Sequence, residues 1–150
     1  MKFRFVWVGK TRDANWKALQ ENYLKRLSHF VPCEIVEARD AATPNSVEVE
    51  GKRILELLNP KTFAVLLDVG GKSVSSSELA TRIEGWQNRG LKEISFIIGG
   101  ANGVASAVAE RADDRLSLSF LTFTHEMARV VLLEQLYRAF TILRGFPYQK

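Results

Sequence analysis

Cysteine and histidine are scarce in this chain, which has one cysteine, Cys33, and two histidines among its 150 residues. A single cysteine cannot form an intramolecular disulfide, and it cannot build a zinc site that needs several thiolates. The two histidines, His29 and His125, lie too far apart in the sequence for a local metal-binding motif. We therefore expect neither a disulfide framework nor a metal centre.

Long apolar runs are also missing from the sequence. The hydrophobic stretches are short and interrupted by charges, and Met1 to Val6 alternate apolar and charged residues instead of forming the core of a signal peptide. We expect a soluble, cytoplasmic protein that does not contact a membrane. Hydrophobic residues still make up 46% of the chain, which is enough for one ordinary core, so residues 1–150 are interpreted as a single domain.

Positive charge is concentrated near the N-terminus. The whole chain has a net charge of +4, whereas residues 1–30 alone carry +5 and the remainder carries −1. This concentration favours a surface that faces a polyanion such as RNA. A solvated, lysine-rich helix face is the alternative interpretation, and composition does not distinguish the two.

Predicted strands and helices alternate along the chain, which is typical of an α/β domain with a mostly parallel sheet flanked by helices. The predicted strands are Lys2–Val8, Cys33–Ala38, Thr62–Leu67, Glu93–Ile98 and Leu116–Phe120. The predicted helices are Asn15–His29, Val47–Leu58, Glu78–Asn88, Ser106–Ala112 and His125–Leu143.

A glycine-rich segment, Gly99 to Gly103, follows the fourth predicted strand. Glycines at such a turn let bare backbone amides approach a ligand. A dinucleotide-binding fingerprint ending at Gly103 would need glycine at Ile98, and a P-loop ending at Ser73 would need glycine at Leu66, so both motifs are excluded. The spacing alone leaves a ligand site and a tight strand-to-helix turn as alternatives.

The last predicted helix is apolar on two sides. Val130, Leu133 and Tyr137 lie on one side, Leu132 and Leu136 lie on the next, and only a narrow face is polar. Each of the two apolar sides must be covered, one by the chain's own sheet and the other by a further surface. We therefore expect a homodimer that forms through this helix. A central helix wrapped entirely by its own chain is the alternative.

Several motifs in a fixed order resemble the minimal SPOUT methyltransferases, and more narrowly the ribosomal large subunit methyltransferase H family. The resemblance covers the whole chain. It rests on Leu67-Asp68 with the following Gly-Lys pair, Gly99–Gly103, Leu118–His125, Arg129, Leu136–Ala139 and Pro147–Lys150.

This resemblance implies a homodimer whose C-terminal portion forms a trefoil knot, which is an exception to the rule of unknotted topology. It also implies binding of S-adenosyl-L-methionine in the knot and methylation of N3 of a pseudouridine in 23S rRNA of the assembled ribosome. The cofactor-binding residues that it implies are Leu67, Gly99, Leu118, Ser119, Phe120, Leu121, Thr122 and Phe123. Aliphatic walls with backbone groups at the rim suit a flat adenine.

The candidate catalytic residues lie on the last helix and in the tail. His125 and Arg129 are one helical turn apart, where a donor or base would favour the anion that develops on the pseudouridine imide. A capping role for His125 and an ion pair for Arg129 are the alternatives. Tyr148 and Lys150 are candidates for stacking on and steering the base. The family usually has histidine where this chain has Gln149, so a tail histidine cannot be the base here.

The competing function is a nucleotide- or RNA-binding module without catalysis, which the basic N-terminal segment and the glycine turn would also fit. Binding of S-adenosylmethionine distinguishes the two.

Overall fold

The computed structural model describes residues 1–148, which form a five-stranded parallel sheet with helices on both faces. The strands are β1 (Lys2–Val8), β2 (Cys33–Ala38), β3 (Phe63–Ser73), β4 (Glu93–Ile98) and β5 (Asp114–Ser117). The helices are α1 (Ala14–Leu27), α2 (Ser46–Leu57), α3 (Ser76–Asn88), α4 (Ser106–Arg111) and α5 (His125–Arg144). The strand order is β2-β1-β4-β3-β5, and every neighbouring pair is parallel. The predicted α/β class is confirmed.

Each central strand is apolar on both faces, because both faces of the sheet are covered by helices. In β1, Phe3, Phe5 and Trp7 have no exposed surface and join a core that includes residues of α1, α3 and α5. Val6 and Val8 point to the opposite face and pack with residues of α2 and α4. Burying a side chain of this size contributes about 1.5–3 kcal/mol to folding.

Side-chain caps set the beginnings of the helices that border the site. The Asp13 carboxylate accepts hydrogen bonds from the amides of Asn15 (2.8 Å) and Trp16 (3.1 Å) at the start of α1. The Thr124 hydroxyl accepts from the amide of Met127 (3.3 Å), so α5 begins at His125. These bonds satisfy amides that the first helical turn leaves free.

Two strands differ from the prediction. β3 runs six residues beyond Leu67, because Lys72 and Ser73 pair with Leu116 and Ser117 after an irregularity in the register. β5 ends at Ser117 rather than at Phe120, because the chain after Ser117 leaves the sheet as a loop.

The last helix, α5, lies on the sheet face that it shares with α1 and α3 and packs against both. Leu132, Leu133 and Leu136 have no exposed surface within the single chain. The chain itself buries these three leucines, whereas Tyr137 and Leu143 on α5 are only partly buried, so a homodimer through α5 stays a prediction. Within residues 1–148 no helix is long and apolar enough to cross a membrane.

Candidate functional site

A cavity of about 640 Å³ lies at the carboxyl ends of β3, β4 and β5, beside the first turn of α5. Ligands of open parallel sheets bind at this edge, and the volume is in the range of small-molecule sites. Seven of the eight predicted cofactor-binding residues line the cavity: Leu67, Gly99, Leu118, Ser119, Leu121, Thr122 and Phe123. The structure thus brings together residues that are up to 56 positions apart in the chain.

Phe120 is the exception among the eight. Its side chain is 83% exposed and does not line the cavity. In the loop that follows β5, the Ser117 hydroxyl donates to the carbonyl of Ser119 (2.9 Å), and the amide of Leu121 donates to the Ser119 hydroxyl (3.0 Å). This local bonding folds the loop so that residues on both sides of Phe120 face the cavity while Phe120 faces outward.

The glycine-rich turn leaves no room for a side chain at Gly99. A Cβ on Gly99 would lie 2.5 Å from Cγ2 of Val104 and 2.8 Å from the carbonyl oxygen of Gly103. Gly103 has φ +99°, a conformation that other residues rarely adopt. The turn closes on itself, since the amide of Gly103 donates to the carbonyl of Gly100 (3.1 Å). Glycine is therefore required at Gly99 because a Cβ would clash within the turn, and at Gly103 because of its positive φ.

The cavity also has lining residues that the sequence predictions missed. Asp68 and Val69 follow the buried part of β3, and Val104 and Ala128 come from the glycine turn and α5. A polar residue directly after a buried strand can indicate a ligand site in the sequence, and Asp68 lies at such a position. The carboxylate of Asp68 places a hydrogen-bond acceptor at an otherwise apolar cavity, where ligand hydroxyl or amino groups could donate to it.

His125 is the first residue of α5, is half-buried, and lies at the cavity. The capping role belongs to Thr124, so His125 itself is not the cap. The imidazole is therefore placed where it can meet a ligand.

Arg129 does not line the cavity, which differs from the expectation that it faces the substrate. It has no exposed surface. Its Nη1 donates to the Thr11 hydroxyl (2.9 Å), its Nη2 donates to the carbonyl of Val8 (2.5 Å), and its guanidinium lies 4.8 Å from the ring centre of Trp7. Burial lowers the pKa of Arg129 to about 10, so the group stays protonated at neutral pH. The arginine holds the segment after β1 onto α5.

Tyr148 packs onto the far part of α5 in its own chain. Its hydroxyl donates to a carboxylate oxygen of Glu134 (3.1 Å), and Arg138 lies 4.8 Å from its ring centre. Burial, with hydrogen bonds to Tyr23 and Glu134, raises the pKa of Tyr148. Glu134 is nine residues, about 13 Å of helix, beyond His125, so Tyr148 does not reach the cavity of its own chain. Lys150, the other tail candidate, lies outside the described residues.

The donor set of the cavity suits an organic ligand rather than a metal ion. Among residues 1–148, no group of three or more His, Cys, Asp or Glu side chains could hold a metal. The walls are largely aliphatic, and the backbone of Gly99 and Gly100 lines the cavity. S-adenosylmethionine, with a flat adenine and polar ends, fits such a site: Leu67, Leu118 and Leu121 would hold the ring, and the turn at Gly99 would hold the remainder.

Comparison with known proteins identifies relatives along the whole chain. Residues 1–149 match the family described as "Predicted SPOUT methyltransferase". Proteins named "Ribosomal RNA large subunit methyltransferase H" are similar: that of Gloeobacter violaceus is 46% identical over 151 residues, covering 99% of this chain and 98% of the relative. That of Anaeromyxobacter dehalogenans is 41% identical, with both chains fully covered.

Two solved structures share the fold. A probable methylase family protein from Haemophilus influenzae superposes with a TM-score of 0.59 at 10% identity, covering 99% of this chain and 70% of its own. A probable methyltransferase from Bordetella pertussis gives a TM-score of 0.58 at 16% identity, covering 92% of this chain and 95% of its own.

Proposed function

The chain belongs to the SPOUT methyltransferase family, and from that premise we propose that it transfers the methyl group of S-adenosylmethionine to N3 of a pseudouridine in 23S rRNA of the assembled ribosome. The observation that carries the proposal is the cavity at the carboxyl ends of β3, β4 and β5, with Gly99 at its wall and His125 at its edge. The names of the relatives favour a methyltransferase over a binding module without catalysis.

The reaction depends mainly on the protein aligning the methyl donor with N3 of the base. Bound S-adenosylmethionine supplies an electrophilic methyl group, and transfer to N3 is an in-line displacement in which the N3–H proton leaves the base. The residues from Leu118 to Phe123 would fix the donor, and His125 would accept the proton or donate a hydrogen bond to a ring carbonyl. Arg129 contributes indirectly, by fixing the segment that follows β1.

The C-terminal knot belongs to the same proposal. β5 is the edge strand of the sheet and lies beside β3. After β5 the chain crosses to the face of the sheet that carries α1 and α3, where α5 lies. This return of the chain from the sheet edge to that face is compatible with the proposed knot, in which the loop after β5 would bind the cofactor.

A homodimer is proposed from the exposed apolar residues rather than from α5. Phe120 (83% exposed) and Leu121 (74%) precede α5, and Phe146 (53%) follows it. Exposed aromatic and aliphatic side chains of this size mark interfaces. A two-fold pairing that brings the end of one α5 to the start of the other would cover them and bring the partner's tail to the cavity.

The basic N-terminal surface would contact rRNA phosphates in the cytoplasm, where ribosomes are found. Arg4 is buried and bonded to Glu34, so it cannot contribute, whereas Lys17 and Lys25 are exposed on α1. We expect the double substitution Lys17→Glu and Lys25→Glu to weaken ribosome binding and to flatten its dependence on salt. Lys52→Glu, on α2 across the sheet, is the control; equal effects of the two changes would make α1 an ordinary solvated face.

The direct test is methylation of large subunits and whole ribosomes that lack the modification, with radiolabelled S-adenosylmethionine, followed by nucleoside analysis. Label in 3-methylpseudouridine supports the proposal. Cofactor binding without label in rRNA would move the substrate elsewhere, and the absence of both would favour the non-catalytic RNA-binding module.

A further inference from the structure

A second, smaller cavity of about 160 Å³ adjoins the main one. It lies between the segments that follow β1 and β2, the glycine turn and the start of α5, and Ala101 and His125 border both cavities. Its character is different, because charged and amide side chains line it: Lys10, Arg12, Asp40, Glu50 and Asn102. With a quarter of the volume of the main cavity, it has room for a small ring rather than for a nucleoside.

Glu50 is the unusual residue of this small cavity. It comes from α2 and is only 7% exposed. Its Oε2 accepts a hydrogen bond from the amide of Ala41 (3.0 Å), whereas its Oε1 accepts none from residues 1–148. The carboxylate also lies close to the glycine turn, since a Cβ on Gly100 would come within 2.9 Å of Oε1. The Glu50 carboxylate lines the small cavity, so Oε1 can accept a hydrogen bond from a ligand there while Oε2 is held by Ala41.

The backbone of the segment beside the small cavity is bonded to α5. Glu126 of α5 accepts hydrogen bonds from the amides of Arg12 and Asp13, and Arg129 binds Thr11 from the same helix. These bonds fix the backbone of this segment relative to α5, whereas the side chains of Lys10 and Arg12 are exposed and Arg12 pairs with Asp40 (3.2 Å). Positive charge here offsets the Glu50 carboxylate and can favour carbonyl oxygens of a bound ring.

We propose that this small cavity receives the base of the target pseudouridine, and that Glu50 selects pseudouridine by accepting its N1–H. The inference rests on the proposed function. In pseudouridine the ring is attached through carbon, so an N1–H donor lies where uridine presents C5–H. A carboxylate is purely an acceptor, and it therefore distinguishes these two edges.

The position of the small cavity agrees with the geometry of the reaction. N1 and N3 are separated by one carbonyl carbon in the ring, so a base whose N1–H meets Glu50 can present N3 toward the main cavity, across the border at His125. Sites that hydrogen-bond a substrate N–H reject analogues that lack it far more strongly than apolar pockets reject a missing methylene.

The test compares ribosomes that carry pseudouridine with ribosomes that carry uridine at the target position, with enzyme in excess so that slow methylation is measured. Glu50→Gln is the informative variant. Its amide oxygen can keep the bond to Ala41, but its NH₂ then faces the N1–H of the base, donor against donor. Glu48→Gln, at an exposed position of the same helix, is the matched control.

We expect Glu50→Gln to lower the methylation rate on pseudouridine ribosomes at least about tenfold while the rate on uridine ribosomes and the Kd for S-adenosylmethionine stay unchanged. A Glu50→Gln enzyme that behaves like Glu48→Gln would overturn the inference, as would an equal loss on both kinds of ribosome. If the unsubstituted enzyme methylates neither ribosome, the proposed function itself fails, and that result does not depend on Glu50.

Discussion

Arg129 shows how a residue that looks catalytic in the sequence can have a positioning role. On the helix pattern it belongs to the narrow polar face, yet the segment after β1 covers it, and its guanidinium binds Val8 and Thr11. The Thr11 hydroxyl in turn donates to the side-chain oxygen of Gln20 in α1 (2.5 Å). The sequence could not predict this burial, because the partners are about 120 residues away.

Substitution of Arg129 by lysine should separate a positioning role from direct contact with rRNA. A lysine cannot bridge Val8 and Thr11 together, so we expect the free energy of unfolding to fall by about 2–3 kcal/mol. Thr11→Val keeps the arginine but removes one of its partners. It should therefore lose part of the kcat/KM for ribosome methylation that Arg129→Lys loses. Denaturant titration and ribosome methylation measure the two effects. Full activity of Thr11→Val beside an inactive Arg129→Lys would instead indicate that Arg129 acts on the substrate.

Cys33, the only cysteine, is expected to be a poor nucleophile. Burial raises the pKa of its thiol from 9.0 to about 11, and the thiol donates weakly to the carbonyl of Val31 (3.3 Å). At pH 8 this lowers the thiolate fraction, and hence the rate of reaction with a thiol reagent, about 100-fold. The same shift stabilises the fold fully below pH 9 and is lost as the pH rises toward 11. Reaction in the folded protein as fast as in denaturant would contradict this expectation.

At the scale of elements, most strands and helices could be predicted because their hydrophobic patterns are local. β1, β2 and β4 match the prediction residue for residue, and α5 begins at the predicted His125. The ends of β3 and β5 could not be predicted from local hydrophobic patterns. The polar end of β3 is a strand only because Ser117 and Leu116 pair with it, and Gly71 is needed because a Cβ there would lie 2.9 Å from the backbone of Arg115.

The same limit applies to the site. Residues Leu116 to Phe120 alternate like a strand, so their pattern alone places the start of the loop after Ser117 in the sheet. The family resemblance supplied its residues as cofactor-binding candidates, and the structure brings all but Phe120 to one cavity. Glu50 carries no signal in the sequence, because a glutamate on a helix is usually solvated and its burial depends on the turn at Gly100.

Gly99→Ala tests whether the glycine turn binds the cofactor. The added Cβ meets Val104 and the carbonyl of Gly103, and the second contact is with backbone that cannot rotate away. We expect the turn to shift and the Kd for S-adenosylmethionine to rise at least about tenfold. Calorimetric titration measures the change.

Gly85→Ala is the matched control for this substitution. Gly85 lies in α3, where an added Cβ meets nothing within 4 Å, so alanine should stabilise the helix by up to about 1 kcal/mol without changing cofactor affinity. An unchanged Kd for Gly99→Ala would exclude the turn from the binding site.

At the scale of the whole molecule, the tail of a chain does not lie beside the cavity of the same chain. Tyr148 rests against Glu134 and Arg138, about 13 Å of helix from His125. A tail that completes an active site must therefore serve another copy of the chain. The exposed Phe120 and Phe146 at opposite ends of α5 are placed for such an exchange in a two-fold dimer.

Mixed dimers test this exchange directly. A chain lacking residues 147–150 keeps its cavity, and a Gly99→Ala chain keeps its tail, so each variant alone should have little activity on ribosomes when S-adenosylmethionine is kept well below the Kd of Gly99→Ala. Randomly mixed by co-expression, half of the dimers contain one of each chain, and each of these has one complete site. We therefore expect about a quarter of the unsubstituted activity to return. A mixture as inactive as its components, or a monomer mass in light scattering at micromolar concentration, would show that the tail does not act across a dimer.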